Sequence, residues 1–248
     1  MKLQNKVAIV TGGTMGIGRA IAERLADEGA KLVIADLNGH EEAAREIGRG
    51  AIPVRCNVAY ETDVKAMVRT TRDAFGGVDI LVNNAGIYST LNPGPFDAIS
   101  VEEWKRVMDV NVLGSFLCAR EAVKSMRERG GGRILNLASG TPFKGVPFLL
   151  HYVTSKGAIV AMTRALAKEL GSSNVLVNAL APGFTLSEGV KANPVQLEKL
   201  QDISLKARTI LRDQVPEDVV GAAAFLVGPD SAFITGQTLV VDGGAYFH

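Results

Sequence analysis

The run Val7-Ala8-Ile9-Val10-Thr11-Gly12-Gly13-Thr14-Met15-Gly16-Ile17-Gly18, with Ile21 and Leu25 following at helical spacing and Asp36 further on, decides the fold. Val7 to Val10 suit a strand buried on both faces, and the helical period from Ile17 to Glu28 ends at Gly29. Glycines at such a strand-to-helix turn let the backbone approach a pyrophosphate. Its charge is stabilised by the free N–H groups and the positive end of the helix dipole. Asp36 closes the next apolar run, Leu32–Asp36, about twenty residues on, where a dinucleotide fold needs an acid to accept hydrogen bonds from ribose hydroxyls. A glycine cluster alone marks only a tight turn. The strand before it, the helix after it and the acid together predict a dinucleotide site.

Outward from this unit the same alternation continues. Further strands are expected at Ile52–Asn57, Ile80–Asn83, Arg133–Ala138, Val175–Leu180 and Thr238–Asp242, with helical patterns between them. The longest helix is expected from Val101 to Arg129, with Ser100 as N-cap, Glu103 three residues on, and Gly130-Gly131-Gly132 as its stop. The prediction is an α/β fold with a doubly wound sheet of about seven parallel strands and helices on both faces. No linker or repeat divides residues 1–248, so a single domain is expected. Residues 184–214 show no clear strand and carry Pro194; so long an insertion over a sheet edge reads as a substrate lid.

Composition narrows the function. The 248 residues carry 27 basic and 26 acidic side chains, a formal net charge of +1 without long blocks of one sign. Nothing here neutralises a run of phosphates, so nucleic acid and anionic membranes are not expected partners. Cys56 and Cys118 make no disulfide framework, and His40, His151 and His248 are scattered, so no metal site is expected. No apolar stretch approaches the ~20 residues that span a bilayer, and the N-terminal apolar run is too short for a signal peptide, so a cytoplasmic protein is expected.

Asp36 also bears on cofactor choice. A carboxylate there would repel a 2′-phosphate by roughly 4 kcal/mol per charge pair at ~4 Å and an effective dielectric near 20. Leu37 follows it and the glycine loop contains no basic residue, so NAD is expected over NADP. Tyr152 and Lys156, at spacing i, i+4, would share one helix face. A cation within ~4–6 Å favours a phenolate and lowers a phenol's pKa towards working pH. Ser139 ends a strand at the carboxyl edge of the sheet, where open α/β folds bind ligands. Each of these alone could be an ordinary core tyrosine, a surface lysine or a turn-capping serine.

Taken in order, these motifs resemble the short-chain dehydrogenase/reductase family over nearly the whole chain. The carriers are Thr11-Gly12-x-x-x-Gly16-x-Gly18, Asn83-Asn84-Ala85-Gly86, Pro182-Gly183, Ile234-Thr235-Gly236-Gln237-Thr238-Leu239 and Val241-Asp242-Gly243-Gly244. The resemblance implies a Rossmann fold and a catalytic tetrad of Asn111, Ser139, Tyr152 and Lys156. In that reading Tyr152 is the general base or acid, Ser139 orients the reacting oxygen, Lys156 lowers the tyrosine pKa and holds the nicotinamide ribose, and Asn111 fixes a relay water. It places the cofactor on Gly12, Thr14, Met15, Gly16, Ile17, Gly18, Asp36, Leu37, Asn57, Val58, Asn84, Ala85, Gly86, Tyr152, Lys156, Pro182, Gly183, Thr185 and Ser187. Two departures stand out: Asn57 replaces the usual Asp at the adenine, and Ser187 replaces the Thr expected at the nicotinamide carboxamide. The family usually assembles as a homotetramer through the Val101–Arg129 helix and the helix after Tyr152, and the tail Ala245-Tyr246-Phe247 would then pack on a neighbour.

The substrate is read from what surrounds the reacting atoms. Ser139, Thr141, Phe143, Val146, Phe148, Leu149, Tyr152 and Phe184 make the expected pocket; Lys144 and His151 are the polar exceptions that could hold a polar or acidic substituent, with a subunit contact as the equal alternative for His151. Few of these pair a charge, which favours an apolar or aromatic secondary alcohol over a sugar. The stretches Gly86–Tyr88 and Phe233–Gly236 look most like the family's phenylethanol and pyridoxal dehydrogenases. The expected function is hydride transfer between NAD(H) and a small secondary alcohol or its ketone. The alternatives are an oxoacyl-carrier-protein reductase, which would normally want NADPH and a basic residue near Asp36 and which Asp36 therefore argues against, or a sugar dehydrogenase of the same family and, from another class, an NAD-binding module without chemistry.

Overall fold

The computed structural model describes residues 1–247; His248 lies outside the described residues. Seven strands, β1 (Val7–Thr11), β2 (Lys31–Asp36), β3 (Ile52–Arg55), β4 (Ile80–Asn83), β5 (Gly132–Leu137), β6 (Val175–Pro182) and β7 (Thr238–Val241), form one parallel sheet in the order β3-β2-β1-β4-β5-β6-β7. The helices are α1 (Gly16–Asp27), α2 (His40–Ile47), α3 (Glu61–Phe75), α4 (Val101–Met108), α5 (Gly114–Glu128), α6 (Thr141–Lys144), α7 (Leu150–Leu170), α8 (Glu188–Lys191), α9 (Pro194–Lys206) and α10 (Glu217–Val227). Strand order reverses between β1 and β4. At such a switch point the connecting helices leave on opposite faces and open a crevice at the carboxyl ends of the strands.

Strand alternation divides the core in two. Ala8, Val10 and Val82 pack with Ile21 and Leu25 of α1 and Val219 and Ala223 of α10. Ile9, Leu81 and Ile134 point the other way, onto Val64 and Met67 of α3, Leu117 of α5 and Leu170 of α7. Each fully buried Ile or Leu contributes roughly 1.5–3 kcal/mol, so the sheet is held from both faces and its carboxyl edge is a rigid platform.

Three details differ from the sequence reading. The stretch expected as one helix from Val101 to Arg129 is α4 and α5 joined by a π-helical turn, Asp109–Leu113. Asn111 sits inside that turn, its amide bonded both ways to the Ile87 backbone. A π-turn admits one extra residue without ending the helix, and such turns recur at functional sites. Strand β3 stops at Arg55 because Asn57 turns the chain, its N–H donating to Asp63 Oδ2 and its Oδ1 accepting from Ala59 N. Residues 184–214 carry two helices: Ser187 caps α8, and Asn193 caps α9 with Pro194 in its first turn. The buried Gln196 side chain donates to the Tyr88 and Leu91 carbonyls, both at 2.8 Å, and so docks α9 onto the chain after β4.

Candidate active site

The crevice holds a cavity of about 680 Å³. At one end the glycine turn and the strand-end motif after β4 form a single unit. Asn84 Nδ2 donates to the carbonyls of Thr11 (3.0 Å) and Gly12 (2.8 Å), and Thr11 Oγ1 accepts from the N–H groups of Asn84 and Ala85. A Cβ at Gly18 would lie 2.1 Å from Gly12 O and 2.2 Å from Asn84 Nδ2, so glycine is required there. Gly12, with φ +65°, likewise lets Ala85 close in. The start of α1, whose first backbone N–H groups have no partner within the helix, lies at this end of the cavity as an anion cradle. Gly16 N currently donates to Glu188 Oε2 at 2.9 Å. A carboxylate from α8 thus stands where the cradle would hold an anion.

Asp36 closes this end. Its Oδ2 accepts from Thr14 Oγ1 and its Oδ1 from Leu37 N, both at 2.7 Å, which fixes the carboxylate on the cavity wall. Met15, Ile17, Leu37, Asn57, Val58, Ala85 and Gly86 line the same end. The Asn57 oxygen expected at an adenine already accepts from Ala59 N, which leaves one lone pair and the NH2 group for a ligand. Ser187 lines the cavity beside Gly16, where an added Cβ would lie 3.0 Å from Ser187 Cβ, and its hydroxyl caps α8 by accepting from Val190 N.

At the other end Ser139 emerges from β5 while Tyr152 and Lys156 rise one helical turn apart on α7, all three buried and lining the cavity. The Ser139 hydroxyl, which accepts from Thr141 N at 3.2 Å, faces the Tyr152 phenol closely enough to oppose its upward shift. Lys156 Nζ donates to Leu137 O at 2.6 Å and lies 5.7 Å from the Tyr152 ring centre. Burial pushes the Tyr152 phenol up to about 12, opposed by the Ser139 hydrogen bond. Burial also pushes the Lys156 ammonium down to about 8. The expected lowering of the phenol by its lysine is not among the causes of the Tyr152 shift, whose direction desolvation sets. Tyr88 packs its ring 4.7 Å from that of Tyr152. Asn111 does not line the cavity; its Nδ2 donates to Ser155 Oγ at 3.0 Å as well as to Ile87 O, tying the π-turn to α7 beside Lys156.

Thr141, Val146, Leu149, Pro182, Gly183, Phe184 and Thr185 line the substrate half. Phe143 and Phe148 do not. Phe143 stacks on Tyr246 at 5.6 Å and packs towards Val160, whereas Phe148 is 60% exposed at a left-handed turn, φ +68°. The tail expected on a neighbour accordingly has Tyr246 resting on its own chain. His151 faces away from the cavity, its Nε2 2.8 Å from Glu103 Oε1 of α4. Leu200 and Ile203 of α9 and Ala207 just after it, unassigned from sequence, complete the wall. Their helical spacing was the signal that could have found them. Among the described residues no group of His, Cys, Asp and Glu could hold a metal ion, and no helix is long and apolar enough to cross a membrane.

Comparison with known proteins agrees with this geometry. The family described as Enoyl-(Acyl carrier protein) reductase matches residues 12–246. An uncharacterized oxidoreductase of Thermotoga maritima is 40% identical, over 98% of this chain and 96% of its own. A 3-oxoacyl-[acyl-carrier-protein] reductase of Synechocystis is also 40% identical, over 98% and 97%. A 3-ketoacyl-(acyl-carrier-protein) reductase of Brucella melitensis, solved in complex with NADH, superposes with a TM-score of 0.92 at 37% identity, covering 99% of this chain and 100% of that one.

Proposed function

Because the chain belongs to the short-chain dehydrogenase/reductase family, we propose that it is an NAD(H)-dependent oxidoreductase interconverting a ketone and its secondary alcohol. The observation that carries this reading is that Ser139, Tyr152 and Lys156 lie buried together on the wall of one cavity, with Lys156 Nζ 5.7 Å from the Tyr152 ring centre and Asp36 at the far end. The residues fit a nicotinamide dinucleotide. The glycine cradle suits the pyrophosphate, Asp36 suits ribose hydroxyls and disfavours a 2′-phosphate, and the Lys156 ammonium suits the second ribose. The cofactor supplies the hydride donor or acceptor.

The chain's own residues handle the proton and the geometry. Ser139 donates to the reacting oxygen and fixes its orientation. Tyr152 gives its phenolic proton to that oxygen in reduction, or takes it in oxidation. Lys156, anchored on the Leu137 carbonyl, stabilises the phenolate that forms. Asn111 braces α7 against the chain after β4 and keeps this constellation in place.

Two substrate readings remain, each with its own support. The names of the Synechocystis and Brucella relatives favour a 3-oxoacyl thioester. Asp36 is no argument against that reading, since the Brucella relative is itself complexed with NADH. The apolar wall of Val146, Leu149, Phe184 and Leu200, with the Tyr88 ring beside Tyr152, favours a small arylalkyl or cyclic alcohol. The relatives weigh more, and we place the 3-oxoacyl reading first. Acetoacetyl thioester with NADH, assayed beside 1-phenylethanol with NAD and a free hexose, decides the order by kcat/KM. Efficient turnover of the hexose alone would overturn both. A cytoplasmic homotetramer completes the proposal, and light scattering at micromolar concentration would show a monomer if assembly is wrong.

A further inference from the structure

Four charged side chains line the cavity. Asp36 stands at the glycine turn, Arg106 lies one helical turn before Val110, and Lys156 lies beneath Tyr152. The fourth, Lys144, has no part in the chemistry above. It closes the one-turn helix α6 that follows Ser139, and its Nζ lies 3.0 Å from Asp242 Oδ2. Asp242 is almost fully buried, and its other oxygen accepts from the N–H groups of Gly244 and Ala245, so the carboxylate cannot swing away. A Cβ at Gly140 would meet Asp242 Oδ2 at 3.6 Å and Lys144 Nζ at 3.7 Å, which puts this ion pair against the residue next to Ser139. The lysine side chain keeps 24% exposure while the aspartate has 2%, so the pair offers ammonium N–H groups to the cavity with the carboxylate behind them.

We infer that Lys144 is a specificity-determining residue that binds a second oxygen of the substrate, close to the reacting carbonyl. This rests on the proposed ketone and alcohol chemistry and deepens it. A surface lysine would gain little from one carboxylate. Here the partner's position is fixed by two backbone donors, so the ammonium is oriented before any ligand arrives, which lowers the ordering cost of binding. Because Asp242 neutralises the pair, the site suits an uncharged acceptor such as an ester, thioester or ketone carbonyl or a hydroxyl. A free carboxylate would meet Asp242 as well as Lys144. An otherwise apolar wall leaves a purely hydrocarbon substrate nothing to offer those N–H groups, which would then stay unpaired on desolvation.

The test uses two ketones of equal chain length, ethyl 3-oxobutanoate and 2-heptanone, with NADH and purified full-length protein. Lys144→Met is expected to lower kcat/KM for the oxoester about 10- to 100-fold, the loss typical of one charge-assisted hydrogen bond, and to change that for 2-heptanone less than about 3-fold. Intrinsic reactivity of the two ketones cancels, because each is compared across variants. Lys144→Gln, which keeps an N–H donor, should restore part of the oxoester's advantage. An equal fall for both ketones would make Lys144 a structural tie, and no fall for either would remove it from the substrate site; either result overturns the inference. If neither ketone is reduced, the proposed function fails by that observation. The inference is then judged by binding of the oxoester to the NADH complex, read from NADH fluorescence, and equal affinity in wild type and Lys144→Met overturns it.

Discussion

Replacing Asp36 by Ala tests the dinucleotide end of the site where its electrostatics are simplest. The carboxylate is held on the cavity wall by Thr14 Oγ1 and Leu37 N, both at 2.7 Å, so it cannot retreat without giving up two hydrogen bonds. A 2′-phosphate carries about −1.5 to −2 charges at neutral pH. At ~4 Å each unit pair costs about 4 kcal/mol at an effective dielectric of 20 and about 1 kcal/mol in bulk water. Asp36 is half-buried, which places the repulsion between those limits, at roughly 3 kcal/mol for the whole phosphate. Since ~2.7 kcal/mol is a factor of 100, NAD should exceed NADP at least 100-fold in kcat/KM. In Asp36→Ala the repulsion is gone, and so is a charged acceptor for the ribose, itself worth about 1.5–3 kcal/mol. NAD should therefore fall about 10- to 100-fold while NADP rises, closing the ratio to under about 10. The assay is initial-rate absorbance of the reduced cofactor with a turned-over alcohol at saturation. Equal use of both cofactors by the wild type would refute the reasoning, because it would mean that Asp36 does not face the ribose.

Tyr152→Phe should lose at least ~100-fold in turnover with NADH still bound, as seen by fluorescence; near wild-type rates would take Tyr152 out of the proton path. Gly18→Ala should weaken NADH at least ~10-fold and lower the melting temperature, because its Cβ would lie 2.1 Å from Gly12 O. Glu188→Gln removes a carboxylate from the Gly16 amide and should tighten NADH about 3-fold or more; weaker binding would show that Glu188 supports the cradle instead. The buried Lys156, pushed down to about 8 from 10.5, costs stability while charged, fully below about pH 8 and progressively less up to 10.5, where the unfolded chain also loses its proton. Lys156→Met should accordingly melt several degrees above wild type at pH 7, with the margin shrinking by pH 10.5; a constant margin would contradict the assigned burial cost.

The fold was legible because its signals are local. Val7–Val10 followed by Thr11-Gly12 carries its own strand and turn, and Ile80–Asn83 is apolar on both faces because helices cover both. Boundaries moved where side chains intervened. Asn57 ends β3 early by capping Ala59, and β6 runs on to Pro182 because β7 continues to pair with it there. The π-turn at Asn111 left no trace in the periodicity. An extra residue in a helix is visible only against what it faces, here the Ile87 backbone, 24 positions away.

The site divides in the same way. Gly18, Asp36, Ser139, Tyr152 and Lys156 each stand at the end of a strand or on one helical turn, and their spacing places them at the crevice without knowledge of the rest of the chain. Phe143 and Phe148 leave the cavity, and His151 faces α4, because the Ser139–Tyr152 connection is shaped by partners far from it in sequence: Tyr246 draws Phe143 outward, and Glu103 holds His151. Lys144 shows the converse. From sequence it reads as a polar exception in the pocket, able to hold a polar or acidic substituent, with nothing to orient it. Only Asp242, 98 positions later and pinned by its own turn, converts it into an oriented donor beside Ser139. Reaction chemistry in this architecture is therefore written in short-range motifs, whereas substrate choice is written in contacts between the segment after β5, the residues after β7 and α9. Side-chain bonds, those of Asp242 and Gln196 among them, join backbone bonds such as Gly140 N to Pro182 O in tying those three segments down. The segments can change which oxygen or ring is received without moving Ser139 or Tyr152, which are set by β5 and α7.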